Sequence, residues 1–223
     1  MTFEEYKKKM EVFGKIDTEE KLAFYKHQYE NHLLRKEDQN HFQPLEESVK
    51  DSLSNQYEQN LHNIFNLSQI KENEFSFLVT PSFEPEYQLI LIRNAANYQF
   101  TCKTLKSNYW HVFYADNKVA KIESTLINLD AENRLGDKLF CLFNKIMDSA
   151  RPPKGNFFTL DGVRYMISKT VNGNIKSVMK SSPDEDSYTG KFISAMEVLY
   201  NIIQASDTNW LKDLENKIDM LLD

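Results

Sequence analysis

Metal, nucleophile and base chemistry each demand particular side chains at particular separations, and this chain offers few of them. His27, Glu30 and His32 stand close together in a stretch that reads as helix. Histidines five positions apart on a helix diverge, whereas ligands of one ion sit at i, i+3 or i+4. Glu58 and His62 have the i, i+4 spacing, but a di-metal carboxylate bundle uses Glu and His at i, i+3, twice over. Surface histidines and an ordinary helical pair are expected, and no metal. Asp116-Asn117-Lys118 has the acid-x-Lys form of metal-dependent nucleases. Such a site needs a second carboxylate, here Glu84 or Glu86 from the preceding segments. An Asp-Asn pair at a hairpin corner accounts for the same residues without a reaction.

Nucleophiles fare no better. Cys102 and Cys141 both lie among apolar residues and are expected to be buried free thiols. His111, the nearest histidine in sequence to Cys102, falls in a separate strand-like run, where alternation turns it away from the Trp110 face. The chain has no G-x-S-x-G elbow. It also lacks a G-x-G-x-x-G or G-x-x-x-x-G-K phosphate loop. No catalytic residue and no cofactor is predicted.

Aromatic side chains remain. Tyr98, Phe100, Trp110, Phe113 and Tyr114 have the character of base-stacking platforms, but those work beside a basic groove. The formal charge is −6 and residues 1–74 carry 15 acidic against 10 basic groups. Nucleic acid is therefore a poor default partner. Rings beneath helices fill a core, and rings left outside form a partner surface. Tyr109, Trp110 and Tyr114 are the residues expected on that surface.

The elements that hold these residues follow from periodicity. Phe3, Tyr6, Met10 and Phe13 make one stripe of a first helix, ended by Gly14. Asp17 to Glu20 reads as a capping box for a second, with Leu22, Tyr25, Tyr29 and Leu33 on its face. Residues 36–43 read as a loop, and Pro44 suits the first turn of a third helix, whose face runs from Leu45 through Val49, Leu53, Tyr57 and Leu61 to Ile64. From Phe75 the period becomes two. Phe75 to Val79, Tyr87 to Ile92, Tyr98 to Cys102 and Trp110 to Tyr114 are expected as strands, the second interior to the sheet, with a further strand over Val119 to Glu123. Asp130 is expected to cap a helix carrying Leu135, Leu139, Leu142, Phe143 and Ile146 inside. Asn172-Gly173 marks a hairpin between two more strands. Phe192, Met196, Leu199 and Ile203 mark a helix, and Asp207 caps a last one with Leu211, Leu214, Ile218 and Leu221 inside. Short connections imply antiparallel pairing.

The first residues, Met1 to Lys9, lack an apolar signal core, and no run is long enough to span a bilayer. With two unpaired cysteines, a cytoplasmic location is expected.

Phe75-Ser76-Phe77-Leu78, Ser82-Phe83-Glu84-Pro85, Leu91-Ile92-Arg93, Leu160-Asp161-Gly162-Val163-Arg164-Tyr165 and Ser182-Pro183 before a helix form a pattern. It resembles that of uncharacterised bacterial α+β proteins over about residues 75–205. The usual aromatic-Gly turn is replaced here by Asn108-Tyr109-Trp110, and the helical first third lies outside. The resemblance implies a fold and no activity. The expectation is an α+β protein: an antiparallel β-sheet meander with helices packed on it, plus an N-terminal helical segment. Residues 1–70 are read as that segment and 71–223 as the α+β domain, with one continuous domain as the other reading. The function expected is a non-enzymatic, protein-binding one, either toxin-neutralising or regulatory. The partner expected is another protein, a basic one by charge preference. The alternative is a hydrolase or metal-dependent nuclease with carboxylates gathered by the fold.

Overall fold

Alternating apolar residues on successive segments build a seven-stranded sheet in the computed structural model, which describes residues 1–45, 52–116, 122–154, 162–206 and 210–223. The strands are β1 (Gln43–Pro44), β2 (Glu74–Pro81), β3 (Tyr87–Arg93), β4 (Tyr98–Leu105), β5 (Ser124–Ala131), β6 (Val163–Val171) and β7 (Asn174–Ser181). Their order is β1-β7-β6-β2-β3-β4-β5, and every pairing is antiparallel. The helices are α1 (Phe3–Met10), α2 (Glu19–Asp38), α3 (Ser52–Ile64), α4 (Tyr109–Asp116), α5 (Asn133–Asp148), α6 (Tyr188–Ala205) and α7 (Leu211–Leu222). The protein is α+β. Asn172 and Gly173, at φ 51° and 75°, make the β6–β7 turn, where two left-handed residues match the strand twist.

The pleat sorts side chains onto two faces. Phe75, Phe77, Leu89, Leu91, Phe100, Tyr165 and Ile167 point to the main core. Three helices cover it, with Leu135, Leu139, Leu142, Phe143 and Ile146 of α5 buried among them. Phe192 of α6 is its centre, edge-on to Phe42, Phe77 and Phe143 at 5.7, 5.7 and 5.6 Å. On the other face Leu78 and Leu105 meet Tyr57 and Leu61 of α3, then Phe65, Leu67 and Ile70. Buried polar residues on this side pair across strands, Gln88 with Ser76 at 2.8 Å and Ser168 with Ser177 at 2.7 Å. Lys103 donates its ammonium to the Ile64 carbonyl at the end of α3, where a cation satisfies the terminal carbonyls.

The N-terminal helices reach this body through residues 38–44. Phe42 is 1% exposed and β1 pairs with β7. Asn40 Oδ1 accepts from the Tyr188 N–H at the start of α6 (3.0 Å). Among the described residues no helix is long and apolar enough to cross a membrane.

Several expectations need correction. Pro44 lies in an edge strand, where its missing N–H costs no ladder bond, and not in a helix. α2 continues through Asp38 into the expected loop. Thr18, not Asp17, caps α2, accepting from the Lys21 N–H at 3.3 Å; the capping box belongs to Thr2 and Glu5 of α1. Asp130 is an exposed residue of β5, and Glu132 holds the N-cap position of α5. Cys102 is buried but Cys141 is exposed, because it faces away from the Leu139, Leu142 and Phe143 side of α5. Val119, Lys121 and Asp207 lie outside the described residues.

Gly190, in the first turn of α6, shows why a helix tolerates this residue. A Cβ there would lie 2.1 Å from the Asp184 carbonyl oxygen and 2.8 Å from that of Glu185. Both obstacles are backbone. Gly190→Ala is expected to lower stability by about 2 kcal/mol, the usual cost of overpacking. Urea unfolding checks this, and an unchanged midpoint would contradict it.

Candidate functional site

The segment Tyr109 to Asp116 is a helix, α4, and not the strand its aromatic and β-branched content suggests. Tyr109, Val112 and Phe113 stand at i, i+3 and i+4 and turn towards Leu78, Leu105 and Leu61. That stripe outweighs the strand propensity of Trp, Tyr, Val and Phe.

Its N-terminus is capped by two side chains from different places in the chain. Asn108 Oδ1 accepts from the His111 N–H at 2.9 Å, while its amide donates to the Glu84 carbonyl at 2.6 Å. Glu86, 0% exposed, accepts from the Tyr109 N–H at 2.8 Å and the Trp110 N–H at 3.2 Å. The first N–H groups of a helix have no partner within it, and here Tyr109, Trp110 and His111 each find a side-chain acceptor. Tyr57 also donates its hydroxyl to Glu86 Oε1 at 3.2 Å. Burial is the largest influence on Glu86 and holds its carboxyl above the usual carboxylate range, against the pull of these donors. Burial and the neighbouring Glu86 charge push the Tyr57 hydroxyl up as well.

Tyr57 is the hub of an aromatic cluster. It stacks on Tyr109 (5.5 Å, 14°) and meets Trp110 and Phe113 edge-on at 5.0 and 5.6 Å. Tyr109 is buried, and its hydroxyl accepts from Asn60 at 2.8 Å. Trp110 and Tyr114, ring centroids 4.2 Å apart, are 43% and 41% exposed. Phe83, on the β2–β3 connection, is 73% exposed and lies 6.3 Å from the His111 ring. Between this ridge and the start of β6 opens a cleft of about 370 Å³, lined by Tyr57, Phe83, Trp110, Ser82 and Arg164. Two of its polar groups are engaged. Arg164 donates to Glu58 at 2.7 Å, and Ser82 Oγ donates to the Gly162 carbonyl at 2.7 Å.

Of the three residues expected at a partner surface, Trp110 and Tyr114 are outside and Tyr109 is beneath them as support. Glu86, one of the two carboxylates that the nuclease alternative would draw on, turns its oxygens to the backbone of α4. His27 bonds Asn31 at 3.2 Å, and His32 lies against Tyr6. Glu58 is turned to Arg164. Among the described residues no three His, Cys, Asp or Glu side chains gather as metal ligands would. Asn117 and Lys118 lie outside the described residues. Sequence reasoning missed Glu86 as a cap and Phe83 as an exposed ring. A signal for the first was present: Asn108 precedes a 109/112/113 stripe, the mark of a capped helix.

No family model, no curated protein and no solved structure matches this chain.

Proposed function

We propose that this is a non-enzymatic protein-binding protein of a bacterial cytoplasm, whose partner docks on the ridge formed by Trp110 and Tyr114. The observation that carries the reading is the exposed Trp110–Tyr114 ring pair, 4.2 Å apart, backed by Tyr57 and a doubly capped helix. Large rigid aromatics lose little conformational freedom on binding and dominate interface energetics. The formal charge of −6 steers a partner rich in Lys and Arg, and those side chains also stack favourably on indole and phenol faces. Neutralisation of a basic toxin, or regulation of a basic protein, is the concrete form of this role.

The test is affinity capture from native lysate with wild type beside a Trp110→Ala/Tyr114→Ala variant, followed by titration of the purified captured protein. The folded double variant is expected to bind it at least about 100-fold more weakly, since two hot-spot aromatics are removed. High salt is expected to weaken wild-type binding as well. Equal affinity of the two proteins for every captured species would refute the reading.

A further inference from the structure

The two edges of the sheet are built differently. At one, β1 is two residues long and contains Pro44, and a short strand with proline resists further pairing. At the other, β5 runs for eight residues, Ser124 to Ala131, with no proline, no lysine and a single charge, Asp130. Among the described residues it pairs with β4 alone. Leu126 on this strand is 62% exposed. A long edge without the usual protecting devices is a template for another strand.

The backbone of β5 alternates in the direction of its bonds. The Lys106 N–H donates to the Glu123 carbonyl at 2.9 Å, and the register continues with Leu105 opposite Ser124. In an antiparallel ladder every second residue exchanges bonds with a given neighbour. Thr125, Ile127, Leu129 and Ala131 therefore bond β4, while Ser124, Leu126, Asn128 and Asp130 turn their N–H and C=O groups outward. The side chains divide in the same way. Ile127 and Leu129, opposite Cys102 and Phe100, pack against the main core but are only partly buried. Leu126, Asn128 and Asp130 are exposed on the other face.

We propose that β5 pairs antiparallel with β5 of a second copy of this chain, about a two-fold axis at Ile127. Outward residues can bond only outward residues, so few registers are open. With the axis at Ile127, Ser124 faces Asp130 of the second copy and Leu126 faces Asn128, so all four outward residues find partners and no acid faces an acid. Moving the axis to Leu126 leaves Asp130 beyond the partner strand, and moving it to Asn128 leaves Ser124 there. At both ends of the ladder the Ser124 hydroxyl donates to the Asp130 carboxylate. On the helix-covered face the two Ile127 side chains meet and Thr125 lies beside Leu129, which covers apolar surface that a single chain leaves half-open. This match of the strand to its own reversed sequence selects a second copy over an unrelated strand. The edge shares no residue with the Trp110–Tyr114 ridge.

Sedimentation equilibrium of the full chain tests it. Wild type is expected to show a reversible monomer–dimer equilibrium. Ser124 is exposed, so charge placed there leaves the monomer intact. Ser124→Asp sets acid against Asp130 twice and is expected to weaken the dimer about tenfold, whereas Ser124→Lys is expected to tighten it about tenfold. Leu126→Pro removes an outward N–H that β4 does not use and is expected to abolish the dimer, with far-ultraviolet circular dichroism unchanged. The register has its own readout on a Cys141→Ser background, which removes the exposed thiol. Ser124→Cys and Asp130→Cys chains are expected to cross-link on oxidation when mixed, and neither alone. A wild-type chain monomeric at every concentration, one dimer constant for Ser124→Asp and Ser124→Lys, or a dimer that survives in folded Leu126→Pro would each overturn the proposal.

Discussion

Glu86→Ala is expected to destabilise the protein by about 3–5 kcal/mol, the range for removing one member of a buried, hydrogen-bonded polar group. The carboxylate is 0% exposed and accepts from two backbone N–H groups and the Tyr57 hydroxyl. Ala leaves these donors in the interior without acceptors, and each orphaned group costs about 1–3 kcal/mol. The loss of a cap adds to this at α4, whose N-terminus depends on residues far away in sequence. Urea unfolding gives the stability change. Near-ultraviolet circular dichroism reads the Trp110 environment, which is expected to lose its signal before the main core unfolds. Glu86→Gln, which keeps one acceptor oxygen, is expected to lie between. The pH dependence has a definite sign. The folded-state value of Glu86 lies above its ordinary one. Its stabilising contribution is therefore full below the ordinary carboxylate range and lost as pH rises through the folded value. The Gln variant lacks that decline. An Ala variant with wild-type stability would show that α4 does not need this acceptor.

Lys180 is expected to produce the opposite slope at alkaline pH. It stands on β7, 4% exposed, and donates to the Asp38 carbonyl at the end of α2. Burial is the dominant influence and holds its ammonium down at about 8, against the raising effect of Asp38 and Asp184. The unfolded chain keeps the ordinary lysine value of 10.5. Between these two values the unfolded chain binds more protons than the folded one, so stability rises with pH. The contribution is present above the unfolded value and lost as pH falls through the folded one. Its full size is about 3 kcal/mol, because each tenfold difference in proton affinity between the folded and unfolded chain is worth about 1.36 kcal/mol. Lys180→Met removes the titrating group. The stability difference between wild type and this variant is expected to move in favour of wild type by about that amount between pH 8 and 10.5. A pH-independent difference would mean that Lys180 is hydrated in the folded protein.

The class of fold was legible because long periodic segments outweigh local ambiguity. The stripe of α5, the Asn172-Gly173 turn and the alternation of β2 and β3 each had one reading. Two errors have different causes. Tyr109 to Asp116 is rich in strand-favouring rings that mask its 109/112/113 stripe, and half of its cap comes from Glu86, 23 residues from Tyr109, a contact no local window contains. β5 went unread because Asp130 resembles a helix cap, while Ile127, Leu129 and Ala131 supplied the alternation that packs against the core. The candidate site was half legible. Exposed Trp110 and Tyr114 followed from composition, but the support by Tyr57 and the neighbouring Phe83 depends on tertiary placement.

The strand order bears on biosynthesis. β2 lies between β3 and β6, and Thr80 bonds Arg164 from 84 residues away. The β2–β5 meander emerges from the ribosome first and forms by local closure, with one edge of β2 open. That edge waits for a partner until the β6–β7 hairpin has been translated, and non-local pairing of this kind is slow and exposed to aggregation. Chains halted before the hairpin are therefore expected to carry an unpaired strand edge open to aggregation.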